Sequence, residues 1–221
     1  MKVVVSYSGG MDSYTLLHDA VHQGHEVSAL SFNYRQRHVV ELENSVTVCE
    51  MLGVPHQLVD IEFLHELASN SALTHGMDVP EGHYTDASMR KTVVPNRNMV
   101  FTSIAIAHAV NLEMDEVWLG QHAGDHAVYP DCRPAFVALM DGVAQIANWH
   151  PVRVRAPYQD LDKTGILTRG QAIGLGPHHY ADTWTCYQPQ GYTACGKCGS
   201  CTERLEAFDA VGWADPLEYA Q

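Results

Sequence analysis

The chain has 221 residues and a formal net charge of −13 at pH 7. This length fits one α/β domain with a sizeable core and argues against two full domains. The acidic balance argues against a tRNA- or DNA-binding surface, which needs a basic stripe, so we expect small-molecule partners and no direct nucleic acid. No apolar run approaches the roughly 20 residues of a membrane span, and the chain begins with a strand pattern instead of a signal peptide. We therefore expect a cytoplasmic protein without a membrane partner.

Strand and helix patterns alternate along the chain. A continuous apolar run, typical of a buried parallel strand, occurs at 3–5, and further segments that we interpret as strands occur at 27–32, 56–60, 117–120 and 152–155. Apolar residues recur at helical spacing between these runs, at Tyr14, Leu17 and Val21, at Val39, Leu42, Val46 and Cys49, at 99–110, and at Phe136, Met140, Val143 and Ile146. Gly24 is a candidate C-cap, and Asp162 is a candidate N-cap for a further helix. This alternation predicts a doubly wound parallel sheet, whose ligand crevice lies at the carboxyl ends of the strands.

A glycine-rich segment, Ser-Gly-Gly-Met-Asp-Ser at residues 8–13, directly follows the first strand and precedes the first helix. Glycine lets the backbone approach a phosphate closely, and the helix N-terminus attracts an anion. The hydroxyls of Ser8 and Ser13 can donate hydrogen bonds to phosphate oxygens. The segment lacks the lysine of a Walker A loop and the spacing of a dinucleotide fingerprint. It predicts a polyphosphate site, with a plain strand-to-helix turn as the alternative.

Several polar segments follow the other strands. Residues 33–38 either reach the crevice or form a solvated loop. Residues 61–95 lack long periodicity and predict a mobile lid or insertion. Arg97, at the start of a buried helix, is a candidate phosphate or carboxylate ligand, and Lys163 is either a phosphate ligand or an exposed lysine. The many polar groups in 121–133 predict a site.

Four of the six cysteines crowd into one short segment: Cys186, Cys195, Cys198 and Cys201. Four thiolates at this spacing can close a tetrahedral zinc site, which would be structural because no ligand position remains. An iron–sulfur cluster is the strongest alternative, although the Cys-Pro that follows in ferredoxins is absent. Cytosolic disulfides are the remaining alternative.

The phosphate-loop motif resembles the loop of the N-type ATP pyrophosphatases, which cut ATP between its α and β phosphates. Further motifs resemble the 7-cyano-7-deazaguanine synthase branch of that group over nearly the whole chain: Asn-Tyr-Arg-Gln-Arg-His at 33–38, Val-Pro-Asn-Arg-Asn at 94–98, Tyr-Pro-Asp-Cys-Arg at 129–133, Asp-Lys at 162–163, and Thr-Cys-Tyr at 185–187. Arg35 and Asn96 depart from that family, which usually has glycine at both positions. Residues 120–128 also lack the Cys-Glu-Thr-Asp-Phe-Ser-Gly motif that is usual in that family, but they keep its aspartate as Asp125.

The resemblance implies roles for individual residues. It implies ATP contacts from Tyr7, Ser8, Gly9, Gly10, Met11, Asp12, Ser13, Tyr14, Thr15, Leu16 and Leu17. It implies catalytic roles for Asp12, Ser13, Arg97 and Lys163. It implies substrate contacts from Arg37, Asp125, Tyr129, Asp131 and Arg133. It also implies that Cys186, Cys195, Cys198 and Cys201 hold zinc.

The resemblance implies a reaction and an architecture as well. An ATP-dependent ligase of this kind joins 7-carboxy-7-deazaguanine and ammonia, through adenylated carboxylate and amide intermediates, to give 7-cyano-7-deazaguanine. The implied cofactors are ATP, structural zinc, and magnesium bound with ATP. We expect an adenine-nucleotide-alpha-hydrolase-like α/β domain over residues 1–180, a zinc-binding segment over 181–221 packed on it, and a homodimer as the candidate assembly.

Two other functions use some of the same features. A tRNA-modifying sulfurtransferase or lysidine-type ligase shares the loop, but it needs a basic face and, for sulfur transfer, a reactive cysteine outside the metal site, for which Cys132 is the candidate. A non-catalytic zinc-ribbon protein acting in DNA modification would not need an intact phosphate loop.

Overall fold

The protein, described as a computed structural model over residues 1–36, 40–67, 71–73 and 87–220, is built on one sheet of five parallel strands. The strands are β1 (Lys2–Ser6), β2 (Glu26–Asn33), β3 (His56–Asp60), β4 (Glu116–Leu119) and β5 (Arg153–Arg155). Their order across the sheet is β3-β2-β1-β4-β5. The doubly wound parallel sheet expected from the alternating pattern is therefore confirmed.

The described residues also form seven α-helices. They are α1 (Met11–His22), α2 (Val40–Leu52), α3 (Phe63–Leu67), α4 (Arg97–Asn111), α5 (Pro134–Ala147), α6 (Lys163–Ala172) and α7 (Gly199–Ala210). Of these, α1, α2, α4 and α5 pack directly on strands of the sheet. Short 3-10 helices occupy Ala87–Thr92, Ala123–Ala127, Pro130–Cys132 and Pro177–Asp182. Within the part of the chain that is described, none of the helices combines the length and apolarity that crossing a bilayer takes.

The central strand β1 is apolar in its middle, at Val3, Val4 and Val5, because helices pack on both of its faces. Val3 and Val5 lie in a cluster with residues of α1, α6 and α7, whereas Val4 lies in the cluster formed by α4 and α5. All three valines are fully buried. From β1 the chain continues to β2 on one side of the sheet and later returns to β4 on the other side. The loops that follow β1 and β4 therefore run in opposite directions and leave a crevice at the carboxyl ends of these strands.

Two predicted helix faces differ from the observed ones. Val46 of α2 is 39 % exposed, because Leu42, Val48 and Cys49 form the buried face of that helix. In α5, Val143 and Ile146 were expected on the apolar face but are 52 % and 85 % exposed. The helix packs beside the short edge strand β5, so only one narrow side of it meets the sheet.

The predicted lid over 61–95 contains ordered elements where it is described. Helix α3 and the 3-10 helix Ala87–Thr92 both fall in it, and the amide of Ala72 donates a hydrogen bond to the carbonyl oxygen of Lys91 at 2.7 Å. Residues 68–70 and 74–86 of the predicted lid lie outside the described residues.

Arg35 and Asn96, the two departures from glycine, both adopt left-handed backbone, with φ of 58° and 57°. Glycine is the residue that takes this conformation without strain, and asparagine tolerates it better than most. The two positions therefore keep the backbone shape that glycine favours. Asn96 immediately precedes α4 and so sets the entry angle of the helix that begins with Arg97.

Candidate active site

One cavity of about 210 Å³ opens at the carboxyl ends of β1, β2 and β4. Its walls come from the phosphate loop, from the start of α4, from the loop after β4, from Lys163 of α6 and from the segment around Thr185. Segments far apart in the sequence, from Ser6 to Ser200, thus meet at the crevice that the strand order predicts.

Several residues that line the cavity have a buried polar atom without a hydrogen-bond partner in the described part of the chain. Among the described residues, five buried side-chain atoms with no hydrogen-bond partner belong to residues lining this cavity: Tyr7 OH, Asp12 Oδ1, Thr102 Oγ1, Gln121 Oε1 and Thr185 Oγ1. Buried polar groups in folded proteins are nearly always paired, because an unpaired one is costly. The concentration of such atoms in one cavity indicates a site built for a polar ligand.

The phosphate loop is held in shape by its own serines. The hydroxyls of Ser8 and Ser13 lie 3.1 Å apart, and Ser13 Oγ also contacts the carbonyl oxygen of Gly10 at 3.1 Å. The amide of Gly10 donates to Ser8 Oγ at 3.1 Å. Helix α1 begins at Met11, directly after this turn, so its positive end lies at the cavity.

Position 9 requires glycine for two reasons, its left-handed backbone conformation and a close contact with α2. Its φ is +86°, and a Cβ at this position would overlap the backbone carbonyl oxygen of Glu41 at the start of α2. The loop and α2 therefore approach each other more closely than any side chain permits.

We expect Gly9→Ala to distort the loop and to weaken ATP binding strongly. Gly24→Ala is the matched control, because Gly24 has a similar φ of +74° but nothing within 4 Å of a Cβ. Left-handed strain alone costs about 1 kcal/mol, and both variants carry it. Thermal melts and ATP titrations should show a small loss of stability in the control and a larger one, with lost affinity, in Gly9→Ala. Equal behaviour of the two variants would contradict the close-contact argument.

Lys163 is the centre of a buried charged cluster. Its side chain is 5 % exposed, and Nζ lies 2.8 Å from Asp12 Oδ2, 3.2 Å from Glu203 Oε2 and 2.9 Å from His122 Nε2. Burial alone would lower the pKa of Lys163, but Asp12, Glu203 and Asp125 together raise it above its ordinary value. Lys163 is thus a permanent cation at the end of the phosphate loop, and the alternative of an exposed lysine is wrong.

Asp12 is ionised in this cluster. Burial raises the pKa of its carboxyl group, but Lys163 and His122 outweigh burial and hold that pKa below its ordinary value. Asp162, the predicted N-cap, accepts a hydrogen bond from the amide of Gly165 at 2.7 Å. This cap fixes the start of α6 and hence the position of Lys163.

His122 is a site residue that the sequence patterns did not single out. It is 1 % exposed, and its Nδ1 accepts a hydrogen bond from the amide of Gly124 at 3.1 Å, which turns Nε2 toward Lys163. Its position directly after β4, in a polar segment, is the signal that could have found it. Glu203 carried no signal of this kind, because it reaches the site from α7.

Another part of the cavity wall is aromatic and contains Arg97. The rings of Phe32 and Phe101 stack at 4.2 Å, and the guanidinium of Arg97 lies 5.6 Å from the centre of the Tyr129 ring. Glu41 also lines the cavity; burial raises the pKa of its carboxyl group well above the ordinary value, and Arg97 opposes that shift. Arg97 therefore lines the same cavity as the phosphate loop but is surrounded by aromatic rings.

Part of the predicted ATP set points away from the cavity. The side chains of Met11, Tyr14, Leu16 and Leu17 lie in the hydrophobic core, and Thr15 Oγ1 bonds to the Met11 carbonyl oxygen and to Tyr180. Residues on one side of α1 must face the sheet, so only the loop and the first turn can face a ligand. The lining residues in this stretch are Tyr7, Ser8, Gly10, Asp12 and Ser13.

Of the residues predicted to contact the substrate, some line the cavity and others make contacts elsewhere in the protein. Asp125 and Tyr129 line the cavity. Asp131 instead caps α4, where its Oδ2 accepts from the amide of Asn98 at 2.9 Å, and the exposed Arg133 donates to the carbonyl oxygen of His126 at 3.0 Å. Arg37 lies outside the described residues.

The four clustered cysteines form a second candidate site. All four are buried, and their sulfurs lie within 4.8 Å of one another. The Cys195 and Cys201 sulfurs are 3.9 Å apart, close to the about 3.8 Å edge of a tetrahedron with zinc–sulfur bonds of about 2.3 Å. The amides of Cys195 and Cys198 donate to the sulfurs of Cys186 and Cys195 at 3.2 and 3.3 Å, which favours thiolates. The donor set and its spacing fit a single metal ion.

Residues 181–221, which contain the four clustered cysteines and are called the metal-binding segment below, contact the cavity wall at two points. The amide of Trp184 donates to the carbonyl oxygen of Gly9 at 3.1 Å, and Glu203 of α7 contacts Lys163. Arg204, the next residue, is fully buried and pairs with Asp215 at 2.7 Å. The segment therefore forms part of the wall of the site.

Comparison with known proteins accounts for the combination of phosphate loop and cysteine cluster. Residues 2–212 match the family model described as "Queuosine biosynthesis protein QueC". The chain belongs to the QueC family. The match includes the phosphate loop and all four clustered cysteines.

Three relatives are similar to the chain over nearly their full length. The chain is 54 % identical over 218 residues to the 7-cyano-7-deazaguanine synthase of Pseudoalteromonas translucida, covering 99 % of this chain and 98 % of the relative. It is 56 % identical over 218 residues to the enzyme of the same name from Alteromonas mediterranea, with the same coverage. The enzyme from Marinobacter nauticus is 54 % identical over 218 residues, covering 99 % and 97 %.

Proposed function

We infer that this QueC-family protein is an ATP-dependent carbon–nitrogen ligase that converts 7-carboxy-7-deazaguanine and ammonia to 7-cyano-7-deazaguanine. The observation that carries this inference is the single cavity in which the phosphate loop and Lys163 face Arg97 and an aromatic wall. Its relatives named 7-cyano-7-deazaguanine synthase match nearly the entire chain.

The reaction needs ATP because a carboxylate is a poor electrophile. Transfer of AMP from ATP to the carboxylate would release pyrophosphate and give an acyl-adenylate, and attack by ammonia would expel AMP to form an amide. Transfer of AMP from a second ATP to the amide oxygen would release pyrophosphate again, and loss of AMP with that oxygen, together with the remaining N–H proton, would give the nitrile. We propose that the loop serines and the N-terminus of α1 hold the departing pyrophosphate, and that Lys163 stabilises the negative charge that develops there.

Asp12 has the geometry to take part in metal binding. Its Oδ2 accepts a hydrogen bond from Lys163, whereas Oδ1 is buried and has no hydrogen-bond partner within residues 1–36, 40–67, 71–73 and 87–220. Three carboxylates, Asp12, Asp125 and Glu203, face one lysine, so the cluster has excess negative charge beside a polyphosphate site. We propose that Asp12 Oδ1 is a magnesium ligand and that magnesium, when bound with ATP, neutralises this charge.

The aromatic end of the cavity suits the deazaguanine ring. We propose that the ring lies near Phe32 and Phe101, that Asp125 and Tyr129 contact it, and that Arg97 attracts its carboxylate. Because Asp131 and Arg133 make structural contacts elsewhere, we do not assign them to the substrate.

We propose zinc as the metal of the cysteine cluster and a structural role for it, because four thiolates leave no ligand position open. Sulfurs this close together suit one ion better than a multi-iron cluster.

We treat residues 181–221 as a metal-binding segment that completes the domain formed by 1–180. Four reduced cysteines suit the cytoplasm. The homodimer and the absence of nucleic-acid partners stay predictions.

The burial and the raised pKa of Cys132 argue against the sulfurtransferase alternative. This residue is 3 % exposed, its sulfur accepts a hydrogen bond from Asn98 at 3.1 Å, and burial raises the pKa of its thiol well above the ordinary value. A nucleophilic cysteine needs the opposite shift.

The products of ATP test the activation step. Adenylation should release AMP and pyrophosphate, and release should require both the carboxylate substrate and the enzyme. Chromatography of nucleotides from the full reaction, with a substrate-free sample as control, measures this. ADP and phosphate as the only products would contradict an α–β cut.

A further inference from the structure

The stretch before the first clustered cysteine lies directly on the phosphate loop. The amide of Trp184 donates to the carbonyl oxygen of Gly9 at 3.1 Å, and a Cβ on Gly10 would lie 3.4 Å from the carbonyl oxygen of Trp184. The neighbouring residues of Trp184 are therefore fixed relative to the backbone that would hold a phosphate.

Two threonines flank Trp184, and their hydroxyls differ. Thr183 is fully paired, since its Oγ1 donates to the carbonyl oxygen of Tyr180 at 2.8 Å and accepts from Arg204 at 2.8 Å. Thr185 is 6 % exposed, its Oγ1 has no hydrogen-bond partner among the described residues, and its side chain lines the cavity. A buried hydroxyl in this state requires a partner from a ligand or from solvent.

The surroundings of Thr185 identify the ligand chemistry. Ser8 and Ser13 line the same cavity on the phosphate-loop side, and Ser200, 5 % exposed at the start of α7, lines it on the side of the metal-binding segment. Hydroxyls from both sides of one cavity are suited to donate to an anionic oxygen. Arg97, the guanidinium suited to a substrate carboxylate, lies among the aromatic rings instead.

We propose that Thr185, supplied by the metal-binding segment, is a ligand for the polyphosphate of ATP and donates its hydroxyl hydrogen to a β- or γ-phosphate oxygen. The proposal rests on the proposed function, because it requires that ATP occupy this cavity. It gives the metal-binding segment a direct part in nucleotide binding in addition to its part in folding.

Thr185→Val tests the proposal, because valine keeps the shape of threonine and removes the hydroxyl. Hydrogen bonds to charged groups are strong, so we expect affinity for ATP and for pyrophosphate to fall about tenfold or more, with AMP binding unchanged. Thr185→Ser should keep near-normal affinity. Titration calorimetry on metal-loaded protein measures the affinity for ATP, pyrophosphate, AMP and 7-carboxy-7-deazaguanine, and metal content and melting temperature are measured on every variant.

Thr193→Val is the matched control, since Thr193 is half-buried in the same segment and is not among the residues lining the cavity. It should bind ATP as the wild type does. If Thr185→Val folds poorly, Thr185→Ala compared with Thr185→Ser gives the same contrast. Wild-type-like ATP affinity in the hydroxyl-free variant would overturn the proposal. So would a loss that is equal for AMP, or one confined to 7-carboxy-7-deazaguanine. A wild type that binds no ATP would instead overturn the proposed function itself.

Discussion

Cys198→Ser should give a protein with little soluble yield, a much lower melting temperature and no bound metal. All four sulfurs are needed to close the tetrahedron, and Cys198 also forms the N-cap position of α7. Structural zinc in small zinc-finger peptides binds with about 10–16 kcal/mol, which is comparable to the entire stability of a typical domain. Loss of one ligand should therefore cost far more than an average substitution.

Cys49→Ala is the control for this experiment. Cys49 is 1 % exposed in the core of α2 and lies outside the cysteine cluster, so its replacement should lower stability by about 1 kcal/mol and leave the metal in place. Metal analysis and thermal melts of both variants make the comparison. A soluble Cys198→Ser protein that keeps its metal and melts like the wild type would contradict a four-cysteine site.

Lys163→Met should reduce nitrile formation by about 10²–10³-fold, the range measured when one preorganised donor to a developing charge is removed. The variant removes a cation that Asp12, Glu203 and Asp125 share, so the cluster would also repel the polyphosphate. Both kcat and affinity for ATP are expected to fall. Steady-state kinetics at saturating ATP separate the two effects.

Lys2→Met is the control for charge removal. The Lys2 side chain is 45 % exposed and its contact with Glu26 is 3.9 Å long, so we expect unchanged kinetics. Activity in Lys163→Met within a few-fold of the wild type would show that the buried cluster has no part in the chemistry.

Features encoded in contiguous residues could be predicted from the sequence. The phosphate loop, the cysteine cluster and the five strands each depend on a short local pattern, and all of them appear in the structure. The sequence did not decide whether Lys163 is buried or exposed, because burial of a lysine depends on carboxylates from other segments. Its Asp162 cap was predicted because capping is local.

Residues that reach the cavity by tertiary packing could not be found in this way. Glu41, Thr185 and Glu203 lie in different segments, and only the close approach of α2, the metal-binding segment and α7 to the loop brings them together. The exposed face of α5 was missed for a similar reason, since periodicity predicts an amphipathic helix but not how much of its apolar side the sheet covers.

Analysis of the product with isotopically labelled ammonium tests the central claim most directly. The enzyme is incubated with ATP, labelled ammonium and 7-carboxy-7-deazaguanine, and the base is examined by mass spectrometry. We predict a nitrile that carries one labelled nitrogen and has lost both carboxylate oxygens. An unchanged carboxylate, or a product without the label, would contradict the assignment of this protein as a 7-cyano-7-deazaguanine synthase.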